Sequence, residues 1–91
     1  MKVIQIDAGQ DTTMYLNNNG ELYIKGMSYN GQFGNGESSN YSSQFVKIEF
    51  PISNVKIKKF VIDRYDVFAI DSEGRIWTWG YGSESGLTPK E

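Results

Sequence analysis

The side chains best suited to recognition chemistry in this chain gather in one glycine-rich stretch. It holds Tyr29, Asn30, Gln32, Phe33, Asn35 and Glu37, with Asn40 and Tyr41 shortly after. Aromatic rings beside amide groups supply flat apolar area together with adaptable hydrogen bonding, the composition of many binding surfaces. Tyr29, Asn30, Gln32, Asn35 and Tyr41 are therefore the first candidates for contact with a ligand or partner. Trp77 and Trp79, two residues apart, fall on one face of a strand and could stack a sugar or a base. Each group also has a structural use. Gly31, Gly34 and Gly36 would shape a turn, Phe33 would enter the core, and the two tryptophans would pack one layer on another.

Catalytic chemistry finds little footing. Among 91 residues there is no histidine and no cysteine, so the commonest general base, the commonest metal ligand and the thiolate nucleophile are all missing. Asp63, Asp66 and Asp71, or Asp7 with Asp11, offer oxygen ligands for a hard cation but lack the calcium-loop spacing. No element fixes two carboxylates at a glycosidase separation. Gly31-Gln32-Phe33-Gly34-Asn35-Gly36 lacks the Gly-Lys-Ser/Thr ending of a phosphate cradle. Neither a metal nor a cofactor is expected, and the chain reads as a non-enzyme. Lys56, Lys58 and Lys59, with Lys47, could form a basic strip, but lysines at a strand edge more often guard it against unwanted pairing. A net charge of −2 gives no general attraction to nucleic acid, which is not expected as a partner. The first residues hold no apolar stretch of signal-peptide length and no run approaches a membrane span, so the expected location is the cytoplasm, with no membrane partner.

The elements that must position these residues are repeated. Laid over itself at an offset of 54 residues, the chain matches without a gap over positions 1–33 and 55–87. Val3 meets Ile57, Ile6 meets Phe60, Met14 meets Phe68, Leu16 meets Ile70, Leu22 meets Ile76 and Tyr23 meets Trp77. Gly20 and Gly26 recur as Gly74 and Gly80. Such a period marks units that cannot bury their own faces without neighbours. The pattern within each unit alternates rather than following a helical period, and ten glycines interrupt it. Strands are predicted over residues 4–8, 13–17 and 21–26, and again over 57–62, 67–71 and 75–80. Asn18-Asn19-Gly20 and Ser72-Glu73-Gly74 form the matching hairpin turns. Residues 27–44 read as a long surface loop and residues 45–50 as a fourth strand stopped by Pro51. The apolar parity shifts once in the first strand of each unit, as a β-bulge or a strand buried on both faces would require.

These residues resemble the regulator of chromosome condensation repeat family. The likeness rests on Ile6-Asp7-Ala8-Gly9, on Thr12-Thr13-Met14-Tyr15-Leu16, on Asn19-Gly20-Glu21-Leu22-Tyr23-Ile24-Lys25-Gly26 and on Asn30-Gly31-Gln32-Phe33-Gly34-Asn35-Gly36. In the second unit it rests on Val67-Phe68-Ala69-Ile70-Asp71, on Glu73-Gly74-Arg75-Ile76-Trp77-Thr78-Trp79-Gly80 and on a decayed Ser85-Gly86-Leu87. The chain departs from the family pattern in lacking its frequent histidine, in Lys25-Gly26 where the first Trp-Gly would stand, and in Ile62-Asp63 where the second Ala-Gly would stand.

The resemblance implies an all-β fold of antiparallel β-propeller blades in a single domain, residues 1–91. A first unit would occupy residues 1–50 and a second, short of its fourth strand, residues 51–91. Full members carry several times this length, so completion by homo-oligomerisation is expected, an excised fragment or a domain-swapped dimer being the alternatives. The function implied is a binding module that engages a protein or small-molecule partner through blade loops or a pocket between subunits. A structural, self-assembling scaffold or virion component is the competing reading, and residue usage suggests a bacterial or phage source.

Overall fold

Short alternating segments cut by glycine turns favour antiparallel strands joined by tight hairpins. The computed structural model, which describes residues 1–9, 11–63, 65–80 and 86–91, is built of them, with no helix among those residues. Strands β1 (Val3–Ala8), β2 (Thr12–Asn17), β3 (Leu22–Ser28) and β4 (Asn40–Lys47) form one sheet in chain order. Strands β5 (Ile57–Asp63), β6 (Asp66–Asp71) and β7 (Ile76–Gly80) form a second, three-stranded sheet in the same sense. These are two antiparallel blades, the second incomplete. Ser85, of the motif read as Ser85-Gly86-Leu87, lies outside the described residues.

The repeat holds at the level of register. Tyr15 pairs with Tyr23 and Leu16 with Leu22 between β2 and β3, while Ala69 pairs with Trp77 and Ile70 with Ile76 between β6 and β7. Each second pair is the first displaced by the repeat length. The parity change in the first strand of each unit is a register irregularity of the bulge type, between Val3 and Gln5 in β1 and between Ile57 and Lys59 in β5. Because β1 is largely exposed, burial on both faces does not account for it.

One core lies between the sheets. Met14, Leu16, Leu22 and Ile24 from the first sheet meet Phe60, Val67, Ala69, Trp77 and Trp79 from the second, all of them buried, with Phe33 and Ile48 closing the margins. Burying each of the Met, Leu, Ile, Val and Phe side chains contributes about 1.5–3 kcal/mol. Phe50 packs edge-on against both indoles, at 5.3 Å from Trp77 and 5.7 Å from Trp79. The Gln5 side chain latches the first strands together across the seam: its Nε2 donates to the Phe60 carbonyl at 2.8 Å and its Oε1 accepts from the Phe60 N–H at 3.2 Å.

Two expectations need correction. The fourth strand is Asn40–Lys47, not residues 45–50, and β3 runs on to Ser28, so the surface loop over residues 27–44 is much shorter than expected. Alternation in Phe45-Val46-Lys47-Ile48-Glu49-Phe50 suits a strand, but pairing with β3 ends at Lys47, opposite Tyr23. The middle of that loop is also not a surface: Gly31, Gln32, Phe33 and Gly34 are buried. In the second sheet the place of a fourth strand holds one isolated bridge, Thr78 to Lys90, bonded in both directions at 2.8 and 3.0 Å.

Both hairpins turn on a buried side chain that accepts hydrogen bonds from the turn backbone. Asn17 Oδ1 receives the N–H groups of Asn19 and Glu21, and at the equivalent place Asp71 Oδ1 receives those of Glu73 and Arg75. The remaining atoms are paired too, Asn17 Nδ2 donating to Glu21 Oε1, while Asp71 Oδ2 accepts from Arg75 Nε at 2.7 Å and Trp77 Nε1 at 2.9 Å. Burial pushes the Asp71 carboxyl up, but the donors of Trp77, Arg75 and Glu73 outweigh it and hold the carboxyl at about 2.

The native state therefore binds fewer protons than the unfolded chain between the ordinary value of 3.8 and about 2. The stability Asp71 contributes is complete above that window and is lost as pH falls through it. Asp71→Asn is expected to lower urea-unfolding stability at neutral pH by about 1–3 kcal/mol. It should also flatten the acid limb of the stability profile between pH 4 and pH 2, and an unchanged limb would show that Asp71 does not carry it.

Candidate functional site: a cleft at the seam of the two sheets

The glycine-rich stretch after β3 is held by its own polar groups. The Ser28 hydroxyl donates to Gln32 Oε1, the Gln32 N–H donates back to Ser28 Oγ at 3.1 Å, and the Asn30 N–H donates to Gln32 Oε1 at 3.1 Å. These bonds offset the desolvation cost of burying Ser28 and Gln32. The stretch is then fastened to the second unit: the Trp79 indole N–H of β7 donates to the Gln32 carbonyl at 2.8 Å, and the Gly36 N–H donates to the carbonyl of Leu87, beyond β7, at 3.0 Å. Gly34 sits at φ 67°, and a Cβ there would stand 3.2–3.3 Å from Pro89 and the Trp79 ring, so a side chain would both strain the backbone and pry the layers apart.

This fastening places Tyr29, Asn30 and Gln32 along an open cleft of about 290 Å³ whose other walls are Asp11, Met27 and Tyr65. Asp11 lies in the β1–β2 turn at φ 64°, a conformation aspartate tolerates better than most residues, and its carbonyl accepts the Met27 N–H at 2.9 Å. Tyr65 lies in the β5–β6 turn, one repeat length from Asp11. Both units thus contribute the same turn to one opening. Its lining offers a carboxylate, two phenols and side-chain amides, a set that can recognise a polar ligand or a peptide by hydrogen bonds and ring contact.

The other residues read as candidates lie elsewhere. Asn35 is exposed and engaged within its loop, exchanging hydrogen bonds with Asn40 and accepting one from the Glu37 N–H. Tyr41 is exposed on β4, opposite Met27. The stacking role of Trp77 and Trp79 is corrected by their position: both are fully buried between the sheets, with their indole N–H groups bonded to Asp71 and to the Gln32 carbonyl. Asp71 is committed to its hairpin, and among the described residues no cluster of acidic side chains could hold a metal ion. Lys47 pairs with Glu21 at 3.3 Å, while Lys56 and Lys58 line a separate open cleft at the opposite end with Asn18, Asn19 and Ile4. Sequence reading missed Met27 and Tyr65 as lining residues. The signal for Tyr65 was its equivalence to Asp11, for Met27 only its closeness to Tyr29.

Residues 3–32 match the Regulator of chromosome condensation (RCC1) repeat. Among 27 similar solved chains, the crystal structure of human WBSCR16 aligns with a TM-score of 0.83 at 24% identity, covering 97% of this chain and 24% of that one. The chain thus spans a minor part of that structure, and the likeness is one of fold. No curated protein matches.

Replacing Trp79 by Phe keeps most of the ring but leaves the buried Gln32 carbonyl without its donor. Stability measured by urea unfolding should fall by about 1–3 kcal/mol. An unchanged midpoint would mean that the indole bond does not fasten the stretch.

Proposed function

We propose that this chain, whose first unit is an RCC1 repeat, is a non-enzymatic binding module that engages a protein or small-molecule partner at the cleft between its units. The observation carrying this reading is the convergence of Tyr29, Asn30 and Gln32 with Asp11 and Tyr65, residues of both units, around one opening. An exposed Tyr29 beside the half-buried Asn30 on a rigid sheet scaffold favours recognition. The absence of histidine and cysteine from the sequence removes the usual acid-base and nucleophilic groups and supports binding over catalysis.

Tyr29 is exposed, so Tyr29→Ala and Asn30→Ala test the site without opening the core. Each is expected to leave the unfolding midpoint within about 0.5 kcal/mol of the parent. Each should also reduce at least tenfold the affinity for whichever protein or ligand co-purifies with the parent, measured by titration with that isolated species. Equal affinity of parent and variants would refute binding at this cleft.

A further inference from the structure

The seam between the two units shows what each unit's faces are for. On one side of the seam the first unit presents Met14, Leu16, Leu22 and Ile24; on the other the second presents Ile57, Phe60, Ala69 and Trp77. Displaced by one repeat length, the first set becomes Phe68, Ile70, Ile76 and Thr78, on the outer face of the second sheet. The second set becomes Val3, Ile6, Tyr15 and Tyr23, on the outer face of the first. Both outer faces are uncovered. Ile6 is 64% and Val3 48% exposed where Phe60 and Ile57 are buried, and Ile76 is 58% and Ile70 40% exposed where Leu22 and Leu16 are buried.

Each outer face is shaped for its counterpart. The second sheet carries a shallow apolar hollow of about 200 Å³ lined by Val61, Phe68, Ile70 and Ile76. The first sheet carries a preformed aromatic cluster, with Tyr15 stacked on Tyr23 at 5.0 Å and edge-on to Phe45 at 4.6 Å. Lys25, standing where Trp79 stands in the second unit, lies over the Phe45 ring at 5.0 Å. The turns follow the same logic. A Cβ on Gly20 would meet the Lys56 backbone at 2.8 Å, whereas one on the equivalent Gly74 would meet nothing within 4 Å.

We propose that a second copy of this chain covers these faces head to tail, the aromatic face of its first unit seating on the Phe68–Ile70–Ile76 face of the preceding copy. The new junction repeats the internal seam, and Lys59, at the Gln5 position, would donate to the Ile6 carbonyl of the next copy as Gln5 does to that of Phe60. The contact is heterologous, so each copy keeps one donor and one acceptor face and a ring closes when the rotations add to a full turn. Propellers of roughly 4–8 blades correspond to about two to four copies.

The mass of the 91-residue chain in solution, read by light scattering at tens of micromolar, tests this together with two charge substitutions, Ile70→Arg on the second face and Ile6→Arg on the first. The parent should form a discrete oligomer of at least two copies. Each variant should be monomeric with an unchanged circular dichroism spectrum. An equimolar mixture of the two should form dimers, because Ile6→Arg retains the second face and Ile70→Arg the first. A monomeric parent, variants that keep the parent mass, or a mixture that stays monomeric would each overturn the proposal. The readout is independent of the cleft, whose affinity can be lost or kept without altering the mass.

Discussion

The Trp79 indole, buried with its N–H pointed at the Gln32 carbonyl, is the constraint on which the rest of the molecule depends. A buried indole needs an acceptor, and a buried loop carbonyl needs a donor. Here each satisfies the other across the seam. The bond lets the glycine-rich stretch lie against the second sheet rather than in solvent. From that placement follow the burial of Phe33, the approach of Gly34 to the ring, and the position of Tyr29 and Asn30 at the mouth of the cleft. The cleft and the core are thus two sides of one fastening.

The repeat preserves roles where it changes residues. Asn17 with Glu21 and Asp71 with Arg75 fasten the same hairpin, one through an amide donating to a carboxylate and the other through a carboxylate accepting from a guanidinium. In both, the turn backbone finds its acceptor on the last residue of the preceding strand. The second version carries a full buried charge held by four hydrogen bonds from three residues, which ties Trp77 into the electrostatics as well as the packing. Lys25 and Trp79 diverge more sharply, because Trp79 is covered within the chain and Lys25 is not.

Much of the fold was legible in the sequence, because alternation and the glycine turns leave strand parity little freedom. Six of the seven strands lie within a few residues of their expected places, and the parity change in β1 and β5 marked their irregular register. The fourth strand was misplaced because residues 45–50 alternate as cleanly beyond Lys47 as before it. The irregular register between Ile24 and Gly26, which fixes where β4 pairs, leaves no mark in composition. The burial of Ser28 and Gln32 was hidden for another reason. Polar residues in a glycine-rich run read as surface, and the indole that satisfies Gln32 lies 47 residues away. Of the candidate site, Tyr29, Asn30 and Gln32 were legible by type, while their meeting with Tyr65 required the seam.

Among the described residues every pairing between the strands joins neighbours in the chain, β1 to β2 to β3 to β4 and β5 to β6 to β7. Distant residues are linked where one unit docks on the other, as Gln5 does in reaching Phe60, 55 positions away. Closing short hairpin loops costs little chain entropy, whereas bringing remote segments together costs more. Most of the search for the native state is therefore local to each unit. A meander wired in this way can be lengthened by tandem duplication of its coding segment without rethreading any strand already in place.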